Sequence, residues 1–248
     1  MKHRVLDLIE NISALFSRGS HDARKTFYEL EKLGYQDSAA FIYEHGRTAM
    51  LLRYKEQFWD FALARIPDTG LLLEFGVFEG NSINYFARQL AKRGDTRPLY
   101  GFDSFEGLSE DWAGTAVQAA TFDLRGQLPA VEPRVSLVKG WIDQTLPGFL
   151  NTHVDPAAQI AFLHVDMDTY SPTRIIFEQT VGALKPGTVI VFDELLGYSG
   201  WRDNEYKALM ECIAPIFEFE FIAFCEPLLK YRRVSKYVRA AVVIGARM

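Results

Sequence analysis

The chain has 248 residues, 48% of them hydrophobic, and a formal net charge of −5. That composition allows a sizeable core in one large domain, or in one domain with an appendage. An acidic balance without any basic block argues against a nucleic-acid partner, and no apolar run approaches the ~20 residues that a membrane helix needs.

The opening stretch, MKHRVLDLIENISALF, is amphipathic with acids inside it. It lacks the unbroken apolar run and cleavage site of a signal peptide, so a helix and a cytoplasmic location are expected. Val5, Leu8, Ile12, Leu15 and Phe16 recur at helical spacing. Gly19 then stops that helix, and Ser20 can cap a second, HDARKTFYELEKL, which ends at Gly34. A third is expected from Asp37, and a long fourth through Met50, Leu51, Tyr54, Phe58, Phe61 and Ala62 to Pro67. Each has one apolar stripe to bury. Residues 1–67 are therefore expected as an N-terminal helical segment. Two roles stay open for it: a layer on the sheet that follows, or a lid or dimerisation arm that makes a homo-oligomer.

After Asp68 short apolar runs alternate with helical stretches. LLLEFG (71–76), PLYGFD (98–103), RVSLVKG (134–140), IAFLHVD (160–166) and TVIVFD (188–193) have the texture of buried strands. Helical patterns at 80–93, 141–150 and 171–184 lie between them. This alternation predicts an α/β, doubly wound, mostly parallel sheet over residues 68–248. FEFEFIAFC (217–225) and KYVRAAVVI (236–244) are joined by a loop without helical period and are expected as an antiparallel pair. Cys212 and Cys225, without metal-like pairing, are expected as reduced thiols in the core.

Ligands of open α/β sheets sit at the carboxyl ends of the strands. Here those ends carry Glu74, Asp103, Asp166 with Asp168 just after, and Asp193 with Glu194. A single such acid is commonly a turn former; acids on four of five strand ends at one edge point to a ligand. The first turn, Gly76-Val-Phe-Glu-Gly80, lacks the middle glycine of a dinucleotide fingerprint and the Gly-Lys-Ser/Thr ending of a phosphate loop. It suits close approach of a ligand with a cationic part and no phosphate. Asp103, at the next strand end, can accept both hydroxyls of a ribose. An adenosine with a cationic amino-acid tail fits, and S-adenosylmethionine is such a molecule.

The runs EFGVFEGNS, LYGFDSFEGL, VKGWIDQTLP, HVDMDTYSPT and LKPGTVIVFDE, in this order and spacing, resemble the motifs of the macrocin and mycinamicin O-methyltransferase family over roughly residues 70–212. The resemblance implies a class I, S-adenosylmethionine-dependent methyltransferase with a Rossmann-like, seven-stranded sheet whose last strand is antiparallel. By position it places Glu74, Gly76, Gly80 and Ser82 at the methionyl part, Asp103, Ser104 and Phe105 at the ribose, and Trp141 and Ile142 at the adenine. It also implies a divalent ion on Asp166, Asp193 and Glu194. Three oxygen ligands favour Mg²⁺, although relatives pair Asp with Asp or Asn where this chain has Asp193-Glu194. Such an ion would lower the pKa of neighbouring hydroxyls on an acceptor.

Asp168, with Asp166 beside it, is the first candidate for general base. His164 shares strand parity with Asp166 but, as a lone histidine in an apolar strand, is expected as a hydrogen-bonded core residue. Tyr170 is a candidate acceptor contact. LLGYSGWRDNEYKAL (195–209) is expected as an acceptor-side flap, with Tyr198 and Trp201 stacking on a sugar face and Arg202 and Glu205 adding polar reach. The expected activity is methyl transfer to a hydroxyl of a small molecule such as a sugar or glycosylated natural product. The alternatives are a nucleotide-cofactor (NAD(P)) oxidoreductase and a non-catalytic S-adenosylmethionine-binding protein.

Overall fold

The structure, a computed structural model, describes residues 23–154, 159–226 and 237–248. The expected first helix, with Val5 to Phe16, and the Gly19 stop and Ser20 cap lie outside the described residues. Helices α1 (Ala23–His45), α2 (Lys55–Leu63), α3 (Asn81–Lys92), α4 (Ile142–His153), α5 (Tyr170–Thr180) and α6 (Glu205–Cys212) surround one sheet. Its strands are β1 (Met50–Leu52), β2 (Leu71–Phe75), β3 (Leu99–Asp103), β4 (Val135–Lys139), β5 (Ile160–Val165), β6 (Val189–Leu196), β7 (Phe217–Cys225) and β8 (Val238–Arg247). Among the described residues, no helix is long and apolar enough to cross a membrane.

The spatial order is β1-β7-β8-β6-β5-β2-β3-β4, eight strands where seven were expected. The eighth is β1, which lies where a helix was expected from Met50. It pairs in parallel with β7, Met50 opposite Ala223, and covers an edge that would otherwise be open. Helix α2 starts only after the extended Tyr54. β8 runs antiparallel to both β6 and β7, and the other pairings are parallel.

The expected second and third helices are one, because α1 runs through Gly34. The glycine there is a contact rather than a stop. A Cβ would stand 2.7 Å from the Tyr198 carbonyl carbon, so only glycine lets that turn press against the helix. One turn on, Ser38 donates to the Gly34 carbonyl (2.8 Å) and accepts the Gly197 N–H (2.9 Å).

Alternate residues of the strands feed two cores. Leu73, Phe75, Phe102 and Phe192 pack with α1, α4, α5 and α6 through Phe41, Phe149, Phe177 and Leu209. Leu72, Leu99, Phe162 and Val191 pack with α2 and α3 through Phe58, Trp59, Ile83 and Phe86. After β2 the chain moves outward to β3 and β4, then returns to β5 on the other side of β2. That reversal opens a crevice at the carboxyl ends of the strands, the place where open α/β sheets bind their ligands.

Candidate active site

The crevice begins at Gly76, which follows β2 at φ +86°. A Cβ on it would lie 1.8 Å from the Asp166 carbonyl oxygen, so any other residue would push the tips of β2 and β5 apart. Asp103, at the tip of β3, fastens the turn. Its Oδ2 accepts the N–H groups of Val77 and Phe78, both at 2.8 Å, and its Oδ1 accepts that of Phe105 at 2.6 Å. A carboxylate has about four lone-pair sites. Three are taken by the turn, and one is open toward the cavity.

A cavity of about 690 Å³ spans the strand tips. Toward β4 it is lined by Asp103, Ser104, Trp141, Ile142 and Gln144; toward β6 and β8 by Asp166, Asp168, Asp193, Glu194 and Tyr237. Apolar walls come from Leu108, Trp112, Val117, Met167, Pro172 and Ile175.

The acids meet because β6 bulges. Phe192 faces Ala240 and Leu196 faces Val238, so residues 193–195 stand opposite Arg239 alone. Asp193 and Glu194 then both reach the cavity, as they would not in a regular strand. Asp168 sits at φ +61°, a conformation Asp tolerates better than most residues. Two trios bring one ligand atom each within 4.8 Å of one another: Asp166, Asp168 and Glu194, and His164, Asp166 and Asp193. Burial, then the charge of Asp193, pushes the Asp168 carboxyl up to about 7 and holds Asp166 and Glu194 well above the usual carboxylate range. Asp193 is the exception: burial would raise it, but the Arg239 guanidinium, bonded to both its oxygens, holds it far below.

Behind the cavity lies a second polar row. Glu74 is fully buried and accepts the Ser82 hydroxyl at 2.8 Å, with its other oxygen 3.3 Å from His164 Nδ1. His164 Nε2 stands 3.8 Å from Asp193 Oδ1. Burial disfavours an imidazolium there, yet Glu74 and Asp193 push it up to about 10. Glu205, also fully buried, accepts the Met167 N–H at 3.1 Å and supports the Asp166–Asp168 loop.

Of the residues expected at a cofactor, Gly76, Asp103, Ser104, Trp141 and Ile142 line the cavity. Glu74, Gly80, Ser82 and Phe105 do not: Glu74 and Ser82 bond each other, Gly80 caps α3 at φ +79°, and Phe105 is core. None of the three expected acceptor contacts lines it. Trp201, 1% exposed, is covered by α1 and meets Phe41 and Tyr206 edge-on. Tyr198 is buried behind Trp112 and Tyr237, and the Tyr170 hydroxyl donates to Glu211. Arg202 pairs with Asp37 of α1 at 2.8 Å instead of facing a ligand. The aromatic wall is Trp112 stacked on Tyr237, ring centres 4.9 Å apart, with the Trp112 indole N–H donating to Tyr198 at 3.3 Å. Trp112 lies in the long connection from residue 104 to 134, whose only sequence signal is its place just after a strand-end acid. Cys225 is buried as expected, whereas Cys212 is half-buried at the end of α6.

Residues 73–195 match the model of a methyltransferase domain. A relative from Streptomyces olivaceus, 8-demethyl-8-(2,3-dimethoxy-alpha-L-rhamnosyl)-tetracenomycin-C 4'-O-methyltransferase, is 30% identical over 174 residues; the match covers 61% of this chain and 63% of that protein. The chain thus spans about three-fifths of that relative's length. Among solved structures, the calicheamicin methyltransferase CalS11 superposes with a TM-score of 0.56 at 21% identity, covering 93% of this chain and 95% of the other. The O-methyltransferase NovP superposes at 0.50 and 17% identity, over 77% and 80%. Residues 73–195 are thus similar to a methyltransferase domain, and the sheet shares its fold with the solved CalS11 structure.

Proposed function

We propose that the chain transfers the methyl group of S-adenosylmethionine to a hydroxyl of a sugar, free or attached to a natural product. The observation that carries this reading is one cavity joining Asp103, Ser104, Trp141 and Ile142 to the carboxylates Asp166, Asp168 and Glu194. Adenine would rest on Trp141 and Ile142, ribose on Asp103 and Ser104, and the methionyl chain over Gly76. The sulfonium would then face the acids, which complement its charge. A dinucleotide fits less well, because Asp103 already holds the Val77 and Phe78 amides that a pyrophosphate would need.

The acceptor follows from the relatives and from the walls. The Streptomyces relative is named as a 4'-O-methyltransferase of a rhamnosyl-bearing tetracenomycin, and CalS11 as a TDP-rhamnose 3'-O-methyltransferase. Trp112 and Tyr237 offer flat apolar surface to a deoxysugar ring. In the transfer, the hydroxyl oxygen attacks the methyl carbon opposite sulfur. The C–O bond forms as the S–C bond breaks, S-adenosylhomocysteine leaves, and the proton passes to Asp168. Asp166 orients the same hydroxyl. Catalysis is then chiefly alignment and electrostatics.

The donor set suits a hard divalent ion such as Mg²⁺. It is all oxygen, and Glu194 Oε2 is buried without a hydrogen-bond partner. Bound there, the ion would lower the pKa of the acceptor hydroxyl. The test is S-adenosylhomocysteine formation from S-adenosylmethionine over a panel of deoxysugar nucleotides and glycosides, with Mg²⁺ or with EDTA. The expected result is acceptor-dependent turnover that EDTA suppresses while cofactor affinity holds. Cofactor binding without turnover on any acceptor would favour the non-catalytic alternative, and binding of NAD⁺ in place of S-adenosylhomocysteine would overturn the reading.

A further inference from the structure

We propose that Asp193 is not a ligand of the divalent ion in this chain: Arg239 holds it instead, and the protein ligands are Asp166, Asp168 and Glu194. The inference rests on the proposed transfer site and specifies its ion.

Arg239 reaches from β8 across the bulge. Its Nε donates to one oxygen of Asp193 and its Nη2 to the other, a two-pronged pairing that leaves neither oxygen uncommitted. The two side chains are only 13% and 10% exposed, so the pair is sheltered from water and weakly screened. On the inner side of Asp193 stands His164, backed in turn by Glu74. Glu74, His164, Asp193 and Arg239 thus form a row of alternating charge across β2, β5, β6 and β8. Drawing Asp193 to an ion would strip a buried guanidinium of its partner, and an unpaired charge in that setting is strongly unfavourable.

The other three acids have no such partner. Among the described residues no Lys, Arg or His forms an ion pair with Asp166, Asp168 or Glu194. Their ligand atoms lie within 4.8 Å of one another. Glu194 is 9% exposed, lines the cavity, and carries an oxygen without a hydrogen-bond partner. Such a group asks for a cation, and the all-oxygen set asks for a hard one. The trio of His164, Asp166 and Asp193 serves less well. His164 is fully buried with Glu74 on one side of its ring, and Asp193 is committed to Arg239. The swap also gives a reason for the strained backbone at Asp168, whose φ of +61° turns that acid into the group. One oxygen of Asp168 can hold the ion while its other oxygen takes the acceptor proton. Arg239 is on this account a positioning residue, a fixed internal cation that confines the exchangeable one to the acceptor side.

The test is Mn²⁺ binding, followed by electron paramagnetic resonance on the full chain saturated with S-adenosylhomocysteine. Asp168→Asn and Glu194→Gln should each weaken Mn²⁺ by about 100-fold or more. The double variant Asp193→Asn with Arg239→Gln, which removes both buried charges together, should stay within about tenfold, the lower end for a residue outside the coordination shell. Titration of S-adenosylhomocysteine on the same samples separates loss of the ion from loss of the fold. Loss of Mn²⁺ in the double variant with retention in Asp168→Asn would overturn the assignment. So would a wild-type chain that binds S-adenosylhomocysteine but no Mn²⁺ at millimolar concentration, and that outcome would leave the methyl-transfer reading intact. A wild-type chain that binds no S-adenosylhomocysteine would fail both.

Discussion

Asp103 does two jobs with one carboxylate. It ties the Gly76 turn to β3 through Val77, Phe78 and Phe105, and it presents one remaining lone pair to the cavity. Asp103→Ala should therefore weaken S-adenosylhomocysteine by about 10- to 150-fold, the equivalent of a charged hydrogen bond of about 1.5–3 kcal/mol. It should also lower the melting temperature, because three amides lose their acceptor. Calorimetry with a thermal melt checks both; affinity unchanged at a lower melting temperature would leave Asp103 a purely structural clamp. The position of Asp103 was legible because a strand end is a fixed place in this fold. Its partners were not, since amides from two turns meet it only after β2 and β3 pair. Glu74 was legible as an acid at a strand end, but its burial against His164 arises from cross-strand register, which a single strand does not display.

Among the elements, the 104–134 connection matters most for specificity. Lacking any period, it gave no helix or strand pattern, yet side chains from several elements hold it. Glu110 accepts the Ser171 N–H and hydroxyl at 2.9 and 2.7 Å, and Ser199 and Asn204 donate to the Gly114 and Ala113 carbonyls at 3.0 Å each. Trp112→Ala should raise acceptor KM by about tenfold, the upper range of aromatic contact energies, and leave S-adenosylhomocysteine affinity unchanged. Steady-state kinetics on a responsive acceptor decide this, and a shift in cofactor affinity with constant KM would contradict it. Helix α1 explains why Trp201 was misplaced. A tryptophan in a glycine-rich loop has the look of an exposed ring until a neighbouring helix covers it. Phe41 of α1 meets Trp201, Tyr206 and Phe221 at 5.3–5.4 Å, whereas Asp37 and Arg202 pair at the surface, 42% and 48% exposed. Phe41→Ala should cost about 3–5 kcal/mol in chemical denaturation, and Asp37→Ala less than about 1 kcal/mol. The reverse order would mean that α1 is held by charge.

For the whole molecule, the alternation of five apolar strands with helices was enough to recover the parallel sheet and its edge of acids. β1 escaped because its three residues are too few for any period and depend on the β7 edge for definition. The same sheet carries an acid-sensitive clamp on its far side. Asp95 is bonded twice or more by Arg97, with Arg134 at 3.5 Å. Burial would raise its carboxyl, but Arg97 and Arg134 overcome this and hold it below its usual value. A depressed folded-state value means that the contribution to stability is present above the unfolded value of about 4 and is lost as pH falls through the folded one. Asp95→Asn should thus destabilise the chain near neutral pH and converge on wild type in strong acid. Denaturation midpoints from pH 7 down to 3 test this, and parallel curves would refute it.

The most direct measurement is a crystal structure with S-adenosylhomocysteine. Density should place adenine against Trp141 and Ile142, a ribose hydroxyl on Asp103, and sulfur over Gly76 toward Asp166 and Asp168. Nucleoside density away from the strand tips, or none in crystals soaked to saturation, would contradict the account.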